Sequence, residues 1–296
     1  MQADLYRRRF RAAVSLPVSA TNPSAPVEIH TLLCHRDVCP YLYAIKSLLL
    51  YCDEVSVVLH DDGSLSAADV VLLERQLPGI RIISTAAADA AVLPRLLRYP
   101  VLTKYRTTVT NAKQLLDFTL LAHTRKLISL DADILFLDRP EEVLDWMYEP
   151  RPAILVGHEK EWASEQDRRL EQTELDYFPN INIGFMCFDR DLLNLDRAEA
   201  IIPLISKEPD WWSGQAAFAV LLRDYICQHP GRAQYLDGDR YIHNNRLDRP
   251  AVMKHYWAVR RHGIGWPSYK RDLKRVRLGA SQSVRAPVSR TATRSA

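Results

Sequence analysis

Several features that would assign this chain of 296 residues to a class are missing from it. No apolar run approaches the roughly 18–20 residues that a membrane-spanning helix needs. The five cysteines form no CxxC pair and no Cys/His pair at zinc spacing, which argues against a disulfide framework and a structural zinc site. No apolar segment follows the arginines near the first residue, so the sequence predicts no secretory signal. These absences favour a reducing, cytoplasmic setting.

A net positive charge is also missing from most of the chain, although the whole chain has a net charge of +3. Residues 270–296 carry eight cations and one aspartate, a net +7, and residues 1–26 carry a net +3. Residues 27–269 are therefore left with −7. A nucleic-acid enzyme would carry its positive charge on the folded body, so we expect no nucleic-acid partner. An acidic body fits a site that binds a cation.

The chain divides into three parts by composition. Residues 1–26, interrupted by prolines, are expected to be a flexible leader, and residues 27–269 a single domain. Residues 270–296 are expected to be a basic, disordered tail. Such a charge run is typical of a solvated end, with contact to a membrane surface as the alternative.

Strands and helices alternate within the central part. The fold class predicted from this pattern is α/β, with a mainly parallel central sheet flanked by helices. The stretch from Glu159 to Phe178 is polar and unpatterned, and it is expected to be a mobile loop over a site. The predicted strands cover residues 27–34, 55–60, 80–83, 126–130, 153–156 and 181–188, and the predicted helices cover residues 38–52, 66–77, 110–121, 141–148 and 215–225. Residues 134–137, 192–205 and 252–257 are also expected to be ordered.

Asp131 and Asp133 follow the apolar strand Lys126 to Leu130 directly. In an open α/β sheet this end of a strand faces the ligand crevice. Two carboxylates with no basic residue between them repel each other unless a cation or a shared proton relieves the charge. A hard divalent ion with oxygen ligands does so directly, whereas the alternative is that the aspartates cap the next turn.

The Asp131-Ala-Asp133 segment resembles the Asp-x-Asp motif of GT-A nucleotide-sugar glycosyltransferases, in particular the family-8-like group. Other segments resemble that family in the same order along residues 27–257. They are Ile29 to Cys34 (first nucleotide-binding strand), Val58 to Leu65 (the turn after the second strand), Lys113 to Asp117 (a helix near the donor phosphates), Asn182-Ile-Gly184 (the strand near the sugar) and Lys254-His255-Tyr256 (the late metal-binding histidine).

The resemblance implies a divalent metal held by Asp131, Asp133 and His255. Because Mg²⁺ seldom takes an imidazole ligand, the histidine favours Mn²⁺. The alternative for His255 is a packed ring beside Tyr256 and Trp257.

The resemblance also implies a donor-binding set of Asp62, Lys104, Lys113, Asn182 and Gly184. Each of these residues has an ordinary structural alternative. Asp62 could cap the next helix, Asn182 could close a strand-end turn, and Lys113 could pair with Asp117 four residues later on a helix surface. Lys104 and Arg106, which are expected in a loop, are further candidates of the same kind as Lys113.

One position departs from the family pattern. Many relatives place an acid just before a glutamine that corresponds to Gln215, whereas this chain has Gly214. The stereochemistry and the catalytic base or nucleophile are therefore unassigned, and Gln215 is the one candidate catalytic residue. Trp211 and Trp212 could stack on an acceptor ring or simply pack at a helix start.

The sequence thus predicts a metal-dependent glycosyltransferase that moves a sugar from a nucleotide-diphospho-sugar, with UDP as the expected nucleotide, to an unknown acceptor. A binding protein for nucleotide-sugars without catalytic activity is the alternative that Gly214 keeps open. A nucleotidyltransferase also holds metal with carboxylates on an α/β sheet. It usually has a glycine-rich loop after its first strand, and residues 34–39 contain no glycine.

Overall fold

The computed structural model describes residues 11–149, 154–159, 165–243, 248–256 and 266–283. Among these residues, no helix is long and apolar enough to cross a membrane. The strands are β1 (Val27–Leu33), β2 (Ser56–Asp61), β3 (Arg81–Ile83), β4 (Lys126–Leu130), β5 (Ile134–Phe136), β6 (Ile154–His158), β7 (Ile181–Asp189), β8 (Ala233–Tyr235), β9 (Tyr241–His243) and β10 (Met253–His255). The α-helices are α1 (Val38–Leu49), α2 (Ala67–Gln76), α3 (Thr85–Val92), α4 (Pro100–Thr108), α5 (Ala112–Leu120), α6 (Glu141–Tyr148), α7 (Glu165–Leu170), α8 (Leu195–Ile205), α9 (Trp211–Gln228) and α10 (Trp266–Ser283).

The central sheet has seven strands in the order β3-β2-β1-β4-β7-β6-β8. All of them run in one direction except β7, which is antiparallel to both β4 and β6. Strands β1 and β4 are buried almost throughout, as their continuous apolar sequences require in a sheet covered on both faces. This arrangement confirms the predicted α/β fold with a mainly parallel sheet.

A second sheet of three strands has the order β5-β10-β9. Strand β10 is antiparallel to β5 and parallel to β9, which sets His255 opposite Ile134 on one side and opposite His243 on the other. The backbone N–H of Tyr256 also donates to the carbonyl of Asp133 at 2.8 Å. The late strand β10 therefore lies directly beside the Asp-x-Asp segment.

Two apolar clusters cover the two faces of the central sheet. One contains side chains of α1, α6 and α10, and the other contains side chains of α4, α5, α8 and α9. Helix ends follow their local sequence signals. Ser66 and Asp69 form a reciprocal capping box at the start of α2, and α6 begins directly behind Pro140. These layers hold the carboxyl ends of the parallel strands in fixed positions at one edge.

The region before α5 differs from the predicted loop. Residues 85–92 and 100–108 form α3 and α4, so Lys104 and Arg106 lie on a helix and not in a loop. The prediction was wrong because α3 is rich in alanine and lacks an amphipathic pattern. The start of α4 does carry a helix signal, since its first residue is a proline and proline suits a first helical turn. Ser84 caps α3 by accepting from the N–H of Ala87 at 3.2 Å.

Part of the predicted loop from residue 159 to 178 is also ordered. Residues 165–170 form α7, and residues 160–164 lie outside the described residues. Two side chains of α7 hold it to the start of β7: Gln166 Nε2 donates to the carbonyl of Ile181 at 2.9 Å, and Asp167 Oδ2 accepts from the N–H of Asn180 at 3.0 Å. Helix α7 is held by these polar contacts to backbone atoms, so its sequence has no periodic apolar pattern from which the helix could be predicted.

Both predicted terminal boundaries run through ordered structure. Residues 11–15 form a 3₁₀ helix, Ala13 and Leu16 are buried, and the leader bonds to the end of α2 through Ser19. Helix α10 begins before residue 270 and extends to residue 283, so a disordered tail from residue 270 does not describe this part. Residues 1–10 and 284–296 lie outside the described residues.

Candidate metal and donor site

The two aspartates lie at the edge of the sheet where β4 ends. The backbone N–H of Asp131 donates to the carbonyl of Gly184 on β7 at 2.8 Å, which extends the β4–β7 ladder by one residue. About a third of the Asp131 side chain is exposed (32%), whereas Asp133 is buried. The pair therefore sits at the border between the core and the crevice.

His255 brings an imidazole to the same point. Its Nε2 lies 3.2 Å from Oδ1 of Asp133 and 3.7 Å from Oδ2 of Asp131. One ligand atom from each of the three residues lies within 4.8 Å of the others. Burial opposes a charge on the imidazole, but Asp133 and Asp131 outweigh it and raise the pKa of His255. The sequence named these three residues from two distant segments, and the structure brings them together.

Gly184 leaves open the space that the three side chains share. A Cβ at this position would lie 2.5 Å from Cε1 of His255, 2.9 Å from Oδ2 of Asp131 and 3.0 Å from Oδ1 of Asn182. Real Cβ atoms do not approach this closely, so any other residue would displace the cluster. Two carboxylates, one imidazole and a glycine cradle fit a divalent cation that accepts both oxygen and nitrogen ligands.

Asn182 organises the backbone next to this cradle. Its Oδ1 accepts from the N–H of Gly184 at 3.0 Å, and its Nδ2 donates to Oε2 of Glu159 at 3.3 Å. Glu159 follows β6 at the same edge of the sheet. Burial raises the pKa of Glu159, although the hydrogen bond from Asn182 and the charge of His255 oppose the shift. The sequence analysis missed Glu159 because the residue was assigned to a loop.

Two further side chains that the sequence analysis missed hold the metal-ligand candidates. Gln114 Nε2 donates to Oδ1 of Asp131 at 3.1 Å. His243 Nδ1 lies 3.3 Å from Nδ1 of His255, on the side of the ring away from the aspartates. Gln114 stands next to Lys113 in a segment already noted, whereas His243 lies on a three-residue strand whose pairing with β10 is not visible in the sequence.

The surroundings of His243 favour its neutral form. Burial lowers the pKa of His243 well below its usual value, and His255 and His158 lower it further. A Cβ at Gly157 would lie 2.4 Å from its Nε2, so the ring fits closely against β6. One Nδ1 is the donor and the other the acceptor in this contact, so it couples the tautomers of the two rings and holds the orientation of His255.

Lys113 lies at the carboxyl end of β2. It is buried (7% exposed), and its Nζ lies 3.4 Å from Oγ1 of Thr85, which in turn donates to the carbonyl of Asp61. The alternative pairing with Asp117 is not formed, since that carboxylate accepts from Arg106. Lys113 is therefore a cation at the same edge of the sheet as Asp131 and Asp133.

Asp62 lies in the turn after β2, where the sequence placed it. Its Oδ1 accepts from the N–H and the hydroxyl of Ser64 at 2.9 and 2.6 Å. Since Ser66 and not Asp62 caps α2, the aspartate stabilises the turn.

Lys104 and Arg106 do not share the position of Lys113. Lys104 is exposed on α4. Arg106 is buried and donates through Nε and NH2 to both oxygens of Asp117, at 2.7 and 2.9 Å, and through NH1 to Asp89. Burial alone would lower the pKa of Arg106, but the two carboxylates raise it. Arg106 therefore has its charge balanced inside the protein by Asp117 and Asp89.

Gln215 lies in the first turns of α9 and reaches β7. Its Nε2 donates to the carbonyl of Ile181 at 3.0 Å, one residue before Asn182. At Gly214, a Cβ would lie 2.8 Å from the hydroxyl of Tyr105. The space next to Gln215 is therefore filled by a buried tyrosine of α4. Trp211 is exposed at the start of the same helix.

Comparisons with solved structures agree with the fold described above. No family model matches the sequence, and no curated protein matches it. The galactosyltransferase LgtC, crystallised with donor and acceptor sugar analogues, matches the structure at a TM-score of 0.50 and 12% identity, over 88% of this chain and 98% of that one. An active-site mutant of LgtC matches at 0.51 and 12% identity, over 84% and 94%.

Mouse xyloside xylosyltransferase 1 matches at a TM-score of 0.46 and 11% identity, over 83% of this chain and 93% of that one. At such identities these similarities show the fold alone. Structural matches to glycosyltransferases of family 8 cover most of the chain, and the fold is the GT-A fold of nucleotide-sugar glycosyltransferases.

Proposed function

We propose that the protein is a metal-dependent glycosyltransferase that transfers a sugar from a nucleotide-diphospho-sugar, with UDP as the nucleotide, to an acceptor. The observation that carries the proposal is the meeting of Asp131, Asp133 and His255 at the carboxyl end of β4. This is the edge at which an open α/β sheet binds ligands. The GT-A fold supports the proposal independently of the residue chemistry.

Asp131, Asp133 and His255 would hold the divalent cation. When bound, such an ion acts as a Lewis acid that stabilises the charge on a leaving diphosphate. The imidazole ligand favours Mn²⁺ over Mg²⁺. Gln114 orients the partly exposed carboxylate of Asp131, and His243 orients the ring of His255.

The donor would lie across the carboxyl ends of β2 and β4 and the start of β7. Lys113 offsets phosphate charge from one side. Asn182 presents its amide beside Gly184, where the missing side chain lets a ligand approach the backbone. Asp62, in the turn after β2, is on the side expected for the nucleoside.

The position of the catalytic acid or nucleophile separates two candidate functions. The hydroxyl of Tyr105 fills the space beside Gly214, which favours a nucleotide-sugar-binding protein without catalytic activity as the second candidate. The half-buried carboxyl of Glu159 lies beside Asn182 and gives an enzyme another source of a carboxyl group. Gln215 is close to the same strand and would contact the sugar or the acceptor.

The test begins with a thermal-shift panel of nucleotide-sugars with Mn²⁺ or Mg²⁺. A ligand at about 100 times its Kd stabilises the folded protein by about 2.7 kcal/mol, so a selective donor raises the unfolding midpoint clearly. The selected donor is then assayed for nucleotide release with and without Mn²⁺. Release that requires metal supports an enzyme, and binding without release identifies the binding protein.

The variant with Asp131→Asn and Asp133→Asn should lose Mn²⁺ binding and nucleotide release. Asp138→Asn is the matched control, because Asp138 follows in the same segment but is exposed and accepts a hydrogen bond from its neighbour Arg139. If the double variant keeps both metal binding and turnover, the proposed function is wrong.

A further inference from the structure

Helix α10 carries a strong charge on its outer side. Five cations of its sequence are exposed, and they recur at spacings of three and four residues, which places them on one side of a helix. We call this side the basic face, and it consists of Lys270, Arg271, Lys274, Arg275 and Arg277.

The other side of α10 is fixed to the body of the protein. Tyr269, Leu273 and Val276 are buried, and the ring of Tyr269 stacks on Tyr256 with centroids 4.3 Å apart. The one acidic residue of the helix, Asp272, is fully buried. The helix is therefore a docked element with a defined outer side and not a solvated end.

Asp272 anchors the helix to the strand that carries His255. Its Oδ2 accepts from Nζ of Lys254 at 3.0 Å and from the hydroxyl of Tyr256 at 2.6 Å. Because successive side chains of a strand point to opposite faces, α10 lies on the face of β10 opposite to the imidazole of His255. A surface that meets the basic face therefore does not cover the metal site.

We propose that the basic face docks the protein on a lipid bilayer that contains anionic headgroups. The face has no exposed carboxylate in its sequence, whereas residues 27–269 have a net charge of −7. A cluster of exposed lysine and arginine side chains on one side of a docked helix attracts anionic lipid headgroups.

An exposed apolar side chain lies among the cations. Leu278 is 63% exposed on the side of the helix that carries Lys274 and Arg271. At a bilayer such a side chain enters the boundary between headgroups and acyl chains, whereas the phosphate backbone of a nucleic acid has no apolar surface to bury it. This feature selects a membrane over nucleic acid as the partner.

The test uses the full chain and sedimentation with vesicles. One set consists of phosphatidylcholine alone, and the other contains about one quarter phosphatidylglycerol. We expect binding to the anionic vesicles only, and we expect it to weaken as the salt concentration rises from about 0.1 M to about 0.5 M.

A triple variant, Lys270→Gln, Lys274→Gln and Arg277→Gln, removes three cations from the basic face. At roughly five-fold per cation, its partition onto anionic vesicles should fall about 100-fold. The control variant, Arg75→Gln, Lys207→Gln and Arg249→Gln, removes the same charge from exposed positions on other parts of the surface and should bind like the wild type.

Thermal unfolding of both triple variants checks that they fold. Leu278→Ala should weaken vesicle binding while leaving the affinity for a random DNA duplex unchanged. The proposal is overturned if the wild type ignores anionic vesicles, if it binds the neutral ones equally, if the two triple variants behave alike, or if the basic face binds the duplex and not the vesicles. None of these outcomes depends on turnover, so they leave the proposed function to its own test.

Discussion

Replacing Gly184 by alanine tests the site geometry most directly. The new Cβ would lie 2.5 Å from Cε1 of His255 and 2.9 Å from Oδ2 of Asp131. Ordinary carbon contacts lie at about 3.5–4.0 Å, so the ring must move by about 1 Å. The backbone cannot absorb the shift, because the carbonyl of Gly184 accepts from the N–H of Asp131.

Metal coordination does not tolerate such a movement. Ligand distances in metal sites hold to about ±0.2 Å, so a shift of about 1 Å removes the imidazole from coordination. Loss of an outer partner alone costs metal sites about 10–100-fold in affinity. We expect at least about 100-fold weaker Mn²⁺ binding for Gly184→Ala, together with a loss of stability of about 1–3 kcal/mol from overpacking.

Mn²⁺ affinity is measured by electron paramagnetic resonance or calorimetry, and stability by urea unfolding without metal. Gly279→Ala is the control, because its Cβ would lie 3.5 Å from Cδ1 of Leu50, an ordinary contact, and alanine suits a helix. If Gly184→Ala destabilises the protein but binds Mn²⁺ as tightly as the wild type and the control, the glycine does not shape a metal site.

Two further predictions concern histidines. His243→Phe keeps a ring but removes the nitrogen that faces His255, so Mn²⁺ binding should weaken about 10–100-fold. His243→Asn should recover part of this affinity. Equal affinity in the wild type and both variants would contradict the orienting role of His243. Burial lowers the pKa of His60 well below its usual value, so below pH 6.5 the unfolded chain takes up a proton that the folded protein does not, and stability falls as the pH drops. His60→Leu should reduce that slope by about 0.7 kcal/mol per pH unit at pH 6.5 and by about 1.4 kcal/mol per pH unit near pH 5, measured by urea unfolding. This range lies above the pH at which Glu28, whose pKa is lowered to about 2, loses its own contribution. An unchanged slope would rule out His60 as its source.

The elements that the sequence predicted best have strong local signals. Strand β4 and helix α6 begin and end at the predicted residues, 126–130 and 141–148. The first is a short apolar run between polar residues, and the second starts behind a proline with two glutamates in its first turn. In both, the local sequence and the tertiary environment favour the same structure.

Helix α10 shows how a mixed signal misleads. Its inner side reads Tyr269, Asp272, Leu273 and Val276, so a carboxylate interrupts the apolar period. Its eighteen residues include five exposed cations, which dominate its composition. The stabilising partner of Asp272 is Lys254 on a distant strand, and no local pattern reveals an ion pair across the fold.

The residues of the candidate site also divide into those with a local sequence signal and those whose role depends on tertiary contacts. Asp131 and Asp133 could be predicted because a buried strand delivers them, and His255 because of its resemblance to a family motif. His243 and Glu159 could not, because their roles depend on which strands become neighbours. Strands β9 and β10 have three residues each, too few for a periodic signal, yet their pairing sets two imidazoles side by side.

Gly214 shows how the sequence and the structure together limit the side chain beside Gln215. The sequence lacks the acid that the resembling family often has at this position, and the structure shows what a side chain there would meet. The hydroxyl that would lie 2.8 Å from a Cβ belongs to Tyr105, on α4, an element that the sequence did not predict. A larger residue at position 214 would therefore have to displace this tyrosine. If turnover uses a carboxyl group, Glu159 at the end of β6 is a candidate, because it lies beside Asn182.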